Sequence, residues 1–150
     1  MDSFDDLTAF LHWWLRTRTM KPPQERPLTY SDGFSGSVLY RDKCYQVQLF
    51  MVKPNRTIDP HVHPNVDSYE VYVSGDISFM ADNNWYDQKE YGGHIRIKPN
   101  CWHGGKFGER GGCFLSVQKW LNNVEPTTVE EDWKDKDGNE IGTAYESRTN

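Results

Sequence analysis

The sequence predicts an all-β domain with one short α-helix at its N-terminus. Three observations carry that prediction. Between about residues 28 and 121, short runs of alternating apolar and polar residues recur, separated by turn signals. Helical periodicity is confined to residues 3 to 16. Aromatic residues make up 14 % of the chain, which marks a sequence that buries a core and not a disordered one. A chain of 150 residues is large enough to bury most of what it exposes when unfolded, and it reads as one domain. The expected division is a helix and linker over 1–22, a β-barrel over 23–123 and an acidic C-terminal extension over 124–150.

The helix rests on Phe4, Leu7, Leu11, Trp14 and Leu15, spaced by threes and fours. Ser3 is the expected N-cap, Asp5 and Asp6 suit the positive end of the dipole, and Pro22-Pro23 stops the helix. The stripe predicts a helix that covers an open end or edge of a sheet, or enters a subunit contact. Strands are expected at 38–40 and 44–52, the latter with Tyr45, Val47, Leu49 and Met51 on one face and Gln46 and Gln48 on the other. Further strands follow at 61–63, 69–73, 77–80, 85–87, 94–97 and 114–121. Gly75-Asp76 reads as a turn, and residues 104–112 as a glycine-rich loop. Eight or so short strands at this spacing form an antiparallel sandwich or barrel.

Composition excludes several function classes. The net charge is -5 with lysines and arginines scattered, which argues against nucleic-acid binding. No apolar run approaches the roughly 20 residues of a membrane span. The chain opens on Asp2, Asp5 and Asp6 and not on a basic-then-apolar leader, and Cys44, Cys101 and Cys113 show no paired spacing. Both point to a reducing, cytoplasmic setting.

The chemistry concentrates at His61-Val62-His63. In extended chain alternate side chains share a face, so both rings aim at one spot, and imidazole is the commonest protein ligand for a transition metal. His103 follows in Lys98-Pro99-Asn100-Cys101-Trp102-His103. Together these segments resemble the two short motifs of the cupin superfamily. The first maps as Asn55, five residues, His61-Val62-His63, four residues, Ser68, six residues, Gly75. The second maps as Gly92, five residues, Lys98-Pro99-Asn100, two residues, His103. The resemblance covers about residues 44 to 121 and implies a jelly-roll β-barrel. It also implies one divalent transition metal (Fe, Mn, Ni, Co, Cu or Zn) on His61, His63 and His103, and a homodimer.

The departures are informative. Asn55 and Asn100 stand at motif glycines, and asparagine is the next-best residue for left-handed backbone. Ser68 stands where the family usually supplies a glutamate ligand. Three arrangements stay open. Glu70, two residues on and facing the same way, reaches back to the ion; Asp67 swings in from the preceding turn; or the site has three histidines and no carboxylate, as in thiol and diketone dioxygenases. The three-histidine arrangement ranks first, with Glu70 as a distant or hydrogen-bonding partner of the ligands. Pocket candidates are Tyr72, Phe50, Gln48, Arg96, Trp102 and Gln118, with Arg96 a candidate anchor for a substrate carboxylate. The expected ligand is a small molecule. The functional expectation is a metal-dependent enzyme, dioxygenase-like or a metal-assisted isomerase or lyase; the alternatives are a cupin that binds a sugar without turnover, or an assembly protein.

Overall fold

The computed structural model describes residues 4–24, 28–31, 33–88, 90 and 93–121. The C-terminal extension, Ser3 and Gly92 lie outside the described residues. One helix, α1 (Leu7–Thr17), precedes eight strands: β1 (Leu28–Ser31), β2 (Phe34–Arg41), β3 (Tyr45–Val52), β4 (Thr57–His61), β5 (Val66–Ala81), β6 (Asn84–Asp87), β7 (His94–Ile97) and β8 (His103–Trp120). The strand order is β1-β2-β3-β8-β5-β6, with β4 paired to β8 and β7 paired to β5. The architecture is an all-β jelly roll.

Its two layers come from two long strands that each serve both. Residues 66–75 of β5 pair with 112–120 of β8, and residues 77–81 of β5 pair with 103–107 of β8. β3 and β7 extend the first half of this ladder, and β4 and β6 the second. The bend between the halves falls at Gly75 and Gly111-Gly112. Gly75 has φ +94, and a Cβ there would stand 2.2 Å from the Gly111 carbonyl oxygen. A Cβ on Gly112 would stand 2.6 Å from Ile77 Cγ1. No residue with a side chain fits at either place. This corrects two expectations. Gly75-Asp76 is a bend inside one continuous strand, and most of 104–112 is strand, with backbone too close for a Cβ at Gly104 and Gly111 and the Ile77 side chain too close at Gly112.

Folding the ladder gives it an inner and an outer face. Register places three rows across the inner face of the first half. The row nearest the bend is Gly36, Phe50, Phe114 and Tyr72. Next comes Val38, Gln48, Ser116, Glu70 and Ile95, and then Arg41, Gln46, Gln118, Ser68 and Ile97. The aromatic row meets the second half directly, since the Phe114 ring lies 5.0 Å from Phe79 and 6.0 Å from Phe107. Val52, Ile77, Phe79, Phe107 and Phe114 form the inner core.

The outer face of the same strands carries the second core, and α1 covers it. Asp6, not Ser3, caps the helix, its side chain accepting from the Ala9 N–H at 2.8 Å; the helix begins at Leu7. Arg18 ends it in left-handed conformation, its N–H bonded to the Trp14 carbonyl. Leu7, Phe10, Leu11 and Trp14 are buried against Tyr40, Tyr45, Val47, Leu115 and Val117. The helix therefore covers a sheet face and not an end or an edge. Fully burying such a side chain stabilises by about 1.5–3 kcal/mol, so this layer is a main source of stability. Phe10 is completely buried and stacks on Tyr45 at 4.5 Å. Phe10→Ala is expected to destabilise the fold by about 3–5 kcal/mol in urea denaturation, while leaving metal affinity of the folded fraction unchanged.

Candidate metal centre and polar interior

His61 and His103 are directly opposite each other in the β4–β8 ladder. β4 pairs only with β8 among the described strands, and an edge strand tolerates Pro60, which has no N–H to give. The register shifts between Ile58 and His61. His63 follows the strand, and its carbonyl accepts from the Asn100 N–H at 3.1 Å. That bond ties the histidine pair to the turn that feeds β8. Asn55 and Asn100 take φ 59 and 62, so both occupy the left-handed backbone that the motif glycines would.

The three rings converge. Centroids lie 4.2 Å apart for His61 and His103, 4.8 Å for His61 and His63, and 5.1 Å for His63 and His103. Their candidate ligand atoms all lie within 4.8 Å of one another. Two backbone carbonyls orient the set. The His61 Nδ1 lies 2.7 Å from the Asp59 carbonyl oxygen, and the His103 Nδ1 lies 2.8 Å from that of Cys101. A carbonyl oxygen only accepts, so each Nδ1 carries the proton and each Nε2 keeps its lone pair. Burial holds the His61 and His103 pKa values below the ordinary histidine range, and for His103 the neighbouring His61 and His63 add to the effect. Neutral rings with free Nε2 atoms fit a transition metal. Nitrogens bound to one ion at about 2.1 Å stand at most about 4.2 Å apart, so small ring rotations complete the geometry.

The remaining sequence candidates divide. Glu70 does not join the histidine group. It is buried, and its Oε1 accepts from the hydroxyls of Ser68 and Ser116, both at 3.2 Å. Asp67 and Arg96 are also placed elsewhere, which corrects two further expectations. Arg96 is opposite Tyr69 on the outer face, not inside, and grips Asp67 through Nε at 2.7 Å and Nη2 at 2.5 Å. The pair sits on the outer face, away from the inner rows. Gln48 and Gln118 are buried on the inner rows. Phe50 stacks between Phe34 and Phe114 on the aromatic row, and Tyr72 is fastened there by its hydroxyl, which donates to the Gly75 carbonyl at 2.8 Å. These two close the end away from the histidines. Trp102 lies in the turn before His103, half-buried, its carbonyl accepting from the Asp82 N–H.

Arg41, which the sequence did not single out, joins the pocket candidates Gln46, Gln118 and Ser116 in one hydrogen-bonded system. The Arg41 Nε donates to Gln46 Oε1 at 2.7 Å, Gln46 Nε2 to Gln118 Oε1 at 3.2 Å, Gln118 Nε2 to Ser116 Oγ at 3.0 Å, and Ser116 Oγ to Glu70. The sequence carries a signal for the rest: Gln46, Gln48, Ser116 and Gln118 alternate with Val47 and Val117, and polar residues alternating with buried valines mark a strand with two buried faces.

Desolvation pushes the Glu70 carboxyl up to about 7, against the two serine hydroxyls, which lower it. In the unfolded chain it ionises near 4.5. The folded protein thus holds this proton more tightly. The resulting stabilisation is fully present below about pH 4.5 and is lost as pH rises through about 7. Urea denaturation of metal-free protein should register a difference between wild type and Glu70→Gln that shifts by roughly 3 kcal/mol between pH 4.5 and 7.5, with wild type losing ground as pH rises. Parallel curves would show that Glu70 ionises normally.

No family model and no curated protein matches the chain. Solved structures do match. KdgF from Halomonas sp. is 10% identical, with a TM-score of 0.57 over 66% of this chain and 89% of that one. An RmlC-like cupin from Shewanella frigidimarina is 14% identical, with a TM-score of 0.55 over 66% of this chain and 86% of that one. A mutant oxalate decarboxylase from Bacillus subtilis is 16% identical, with a TM-score of 0.56 over 72% of this chain but only 31% of that one. At these identities the likeness concerns architecture. Two bent strands shared by two facing layers, with a histidine group at one end, make this chain a small domain of cupin fold.

Proposed function

We propose that the chain is a metal-dependent enzyme acting on a small organic molecule, its divalent transition metal held by His61, His63 and His103. The observation that carries this reading is the pair of fixed tautomers: Asp59 and Cys101 carbonyls hold the Nδ1 protons of His61 and His103, leaving lone pairs at Nε2 in a group within 4.8 Å. Burial keeps the rings neutral, as ligands must be. An ion so held supplies Lewis acidity, or redox chemistry with dioxygen where it is iron. The chain's own residues orient the reactant: amide and hydroxyl groups line two inner rows, and Phe50, Phe114 and Tyr72 close the far end. With three histidines and no carboxylate in the group, a dioxygenase-like oxidation ranks ahead of metal-assisted isomerisation or elimination.

A non-catalytic ligand-binding domain is the second reading, favoured by the mutual hydrogen bonding of the interior amides, which asks for no reacting group. Turnover of any bound compound separates the two.

The primary test is elemental analysis of protein purified without a tag, followed by zinc titration against a competing chelator. One equivalent is expected. His103→Ala should weaken binding at least about 100-fold, and acidification should release the ion because protons compete for the same nitrogens. Less than about a tenth of an equivalent after reconstitution would overturn the reading.

A further inference from the structure

One series of donors on the inner rows runs toward Glu70, with a branch from Gln46 Nε2 to Gln48 Oε1. The series starts at the Arg41 guanidinium, which also lies over the Trp120 ring at 5.5 Å, and runs through Gln46, Gln118 and Ser116. Each amide accepts from the residue before it and donates to the next. The Ser116 hydroxyl accepts from Gln118 and donates to Glu70 Oε1 at 3.2 Å. Ser68 donates to the same oxygen. A chain of hydrogen bonds in one direction polarises each member and strengthens the last. Among the described residues nothing donates to the other oxygen. Glu70 is only 8% exposed, and its Oε2 is buried without a hydrogen-bond partner. A buried carboxylate oxygen left bare is costly, of order 1–3 kcal/mol or more, and calls for a partner that the fold itself does not supply.

The position of Glu70 fits that role. It lies five residues before Gly75 on β5, about 16 Å from the bend, whereas Ala81, the register partner of His103, lies six residues after it, about 20 Å away. Ser68 is about 23 Å from the bend on the Glu70 side. The level of His103 thus falls between those of Ser68 and Glu70 on the facing layer. The lining also has a charge preference. Among the described residues the only cation on the inner rows is Arg41, already bonded to Gln46 at their far edge. With no ion on the histidines, an anionic ligand would meet the carboxylate with no cation beside it. An uncharged one carrying hydroxyl or amide N–H groups would find an acceptor at Oε2.

We propose that Glu70 Oε2 is a ligand-anchoring acceptor, taking a hydrogen bond from a hydroxyl or amide N–H of a small uncharged compound that binds between the layers beside the three histidines. This rests on the reading of the barrel interior as a small-molecule site, but not on which metal the histidines hold. It also separates Glu70 from the ion: the carboxylate addresses the organic ligand.

The test uses full-length protein, zinc-loaded and chelator-stripped, at about pH 8.5 so that Glu70 is ionised and Oε2 is an acceptor, and ligand-observed NMR with matched probes: threitol and malonamide as neutral compounds, tartrate and malonate as their anionic counterparts. In the chelator-stripped protein the neutral pair should bind and the anions should not. In Glu70→Gln the serines hold the amide oxygen, so an NH2 donor replaces the Oε2 acceptor. Neutral probes should weaken at least about fivefold, tartrate should gain affinity, and zinc affinity should stay within about threefold of wild type. Equal binding of the neutral probes to both proteins would overturn the proposal, as would their failure to bind in either state. A zinc affinity reduced tenfold or more in Glu70→Gln would also overturn it, by making Glu70 a partner of the ion. If wild type binds no zinc yet the stripped protein binds threitol through Glu70, the metal reading fails and this one stands. Should Glu70→Gln not fold, Ser116→Ala breaks the same chain of donors: weaker threitol binding with unchanged zinc affinity supports the proposal, and unchanged threitol binding overturns it.

Discussion

The close backbone crossing at Gly75 and Gly111-Gly112 is the constraint on which the rest of this molecule depends. β5 and β8 pair along nearly their whole lengths, yet a continuous flat ladder would have no interior. These two strands fold over together here because no side chain occupies the crease at Gly75, Gly111 or Gly112. The Gly75 position leaves a Cβ only 2.2 Å from the Gly111 oxygen, and the Gly111 position leaves one 2.4 Å from the Val52 carbonyl oxygen. Once the crease exists, strand alternation does the remaining work. It sets Phe114 against Phe79 and Phe107, brings β4 beside the start of β8, and puts His61 opposite His103. The histidine group is therefore a distant consequence of three glycines.

The two faces of the first-half ladder divide stability from chemistry. Val47, Leu115 and Val117 face outward, into a core that α1 seals with Leu7, Phe10, Leu11 and Trp14. Gln46, Gln48, Ser116 and Gln118, on the same strands, face inward and are equally buried. An unpaired buried amide costs about 1–3 kcal/mol, so such a row is tolerable only if its members bond to one another. They do, in one direction. The helix layer supplies the apolar burial that an ordinary jelly roll would draw from its interior, and this frees the interior to be polar.

The fold was largely legible in the sequence because it is written in local signals. Alternation located most strands, and the helical stripe located α1 to within a few residues. The spacing of His61, His63 and His103 was enough to expect rings at one point, and Asn55 and Asn100 take the left-handed backbone inferred for them. What could not be read is non-local. Gly75-Asp76 looks the same as a reversal or as a crease, since the difference lies in what approaches it from β8. Glycines 104, 105, 108, 111 and 112 look like a loop because only the fold reveals the backbone and side chains packed against them. Arg96 looked like an interior cation because its parity with Tyr69 depends on the β5–β7 register, and the sequence cannot state that register. The capping residue shifted from Ser3 to Asp6 for a simpler reason: several acidic and hydroxylic residues in a row all satisfy the local rule, and packing of Leu7 selects among them.

The exchange of a carboxylate for Ser68 has an electrostatic consequence that joins these threads. A glutamate at that position, in contact with an ion, would neutralise one of its charges. Here the nearest interior carboxylate on the strand is Glu70, one inner-face step further on, about 6.5 Å along β5, and its Oε1 is already committed to Ser68 and Ser116. Three neutral rings would leave a divalent ion with its full charge, which favours binding of an electron-rich ligand atom at the ion. The same displacement leaves Glu70 a buried acid poised near neutrality, with one oxygen bare. On the proposed reading, a compound lying between them would meet a positive centre at one end and a hydrogen-bond acceptor at the other. Moving a single acid by two residues would then convert a fourth ligand into the opposite wall of a polarised site.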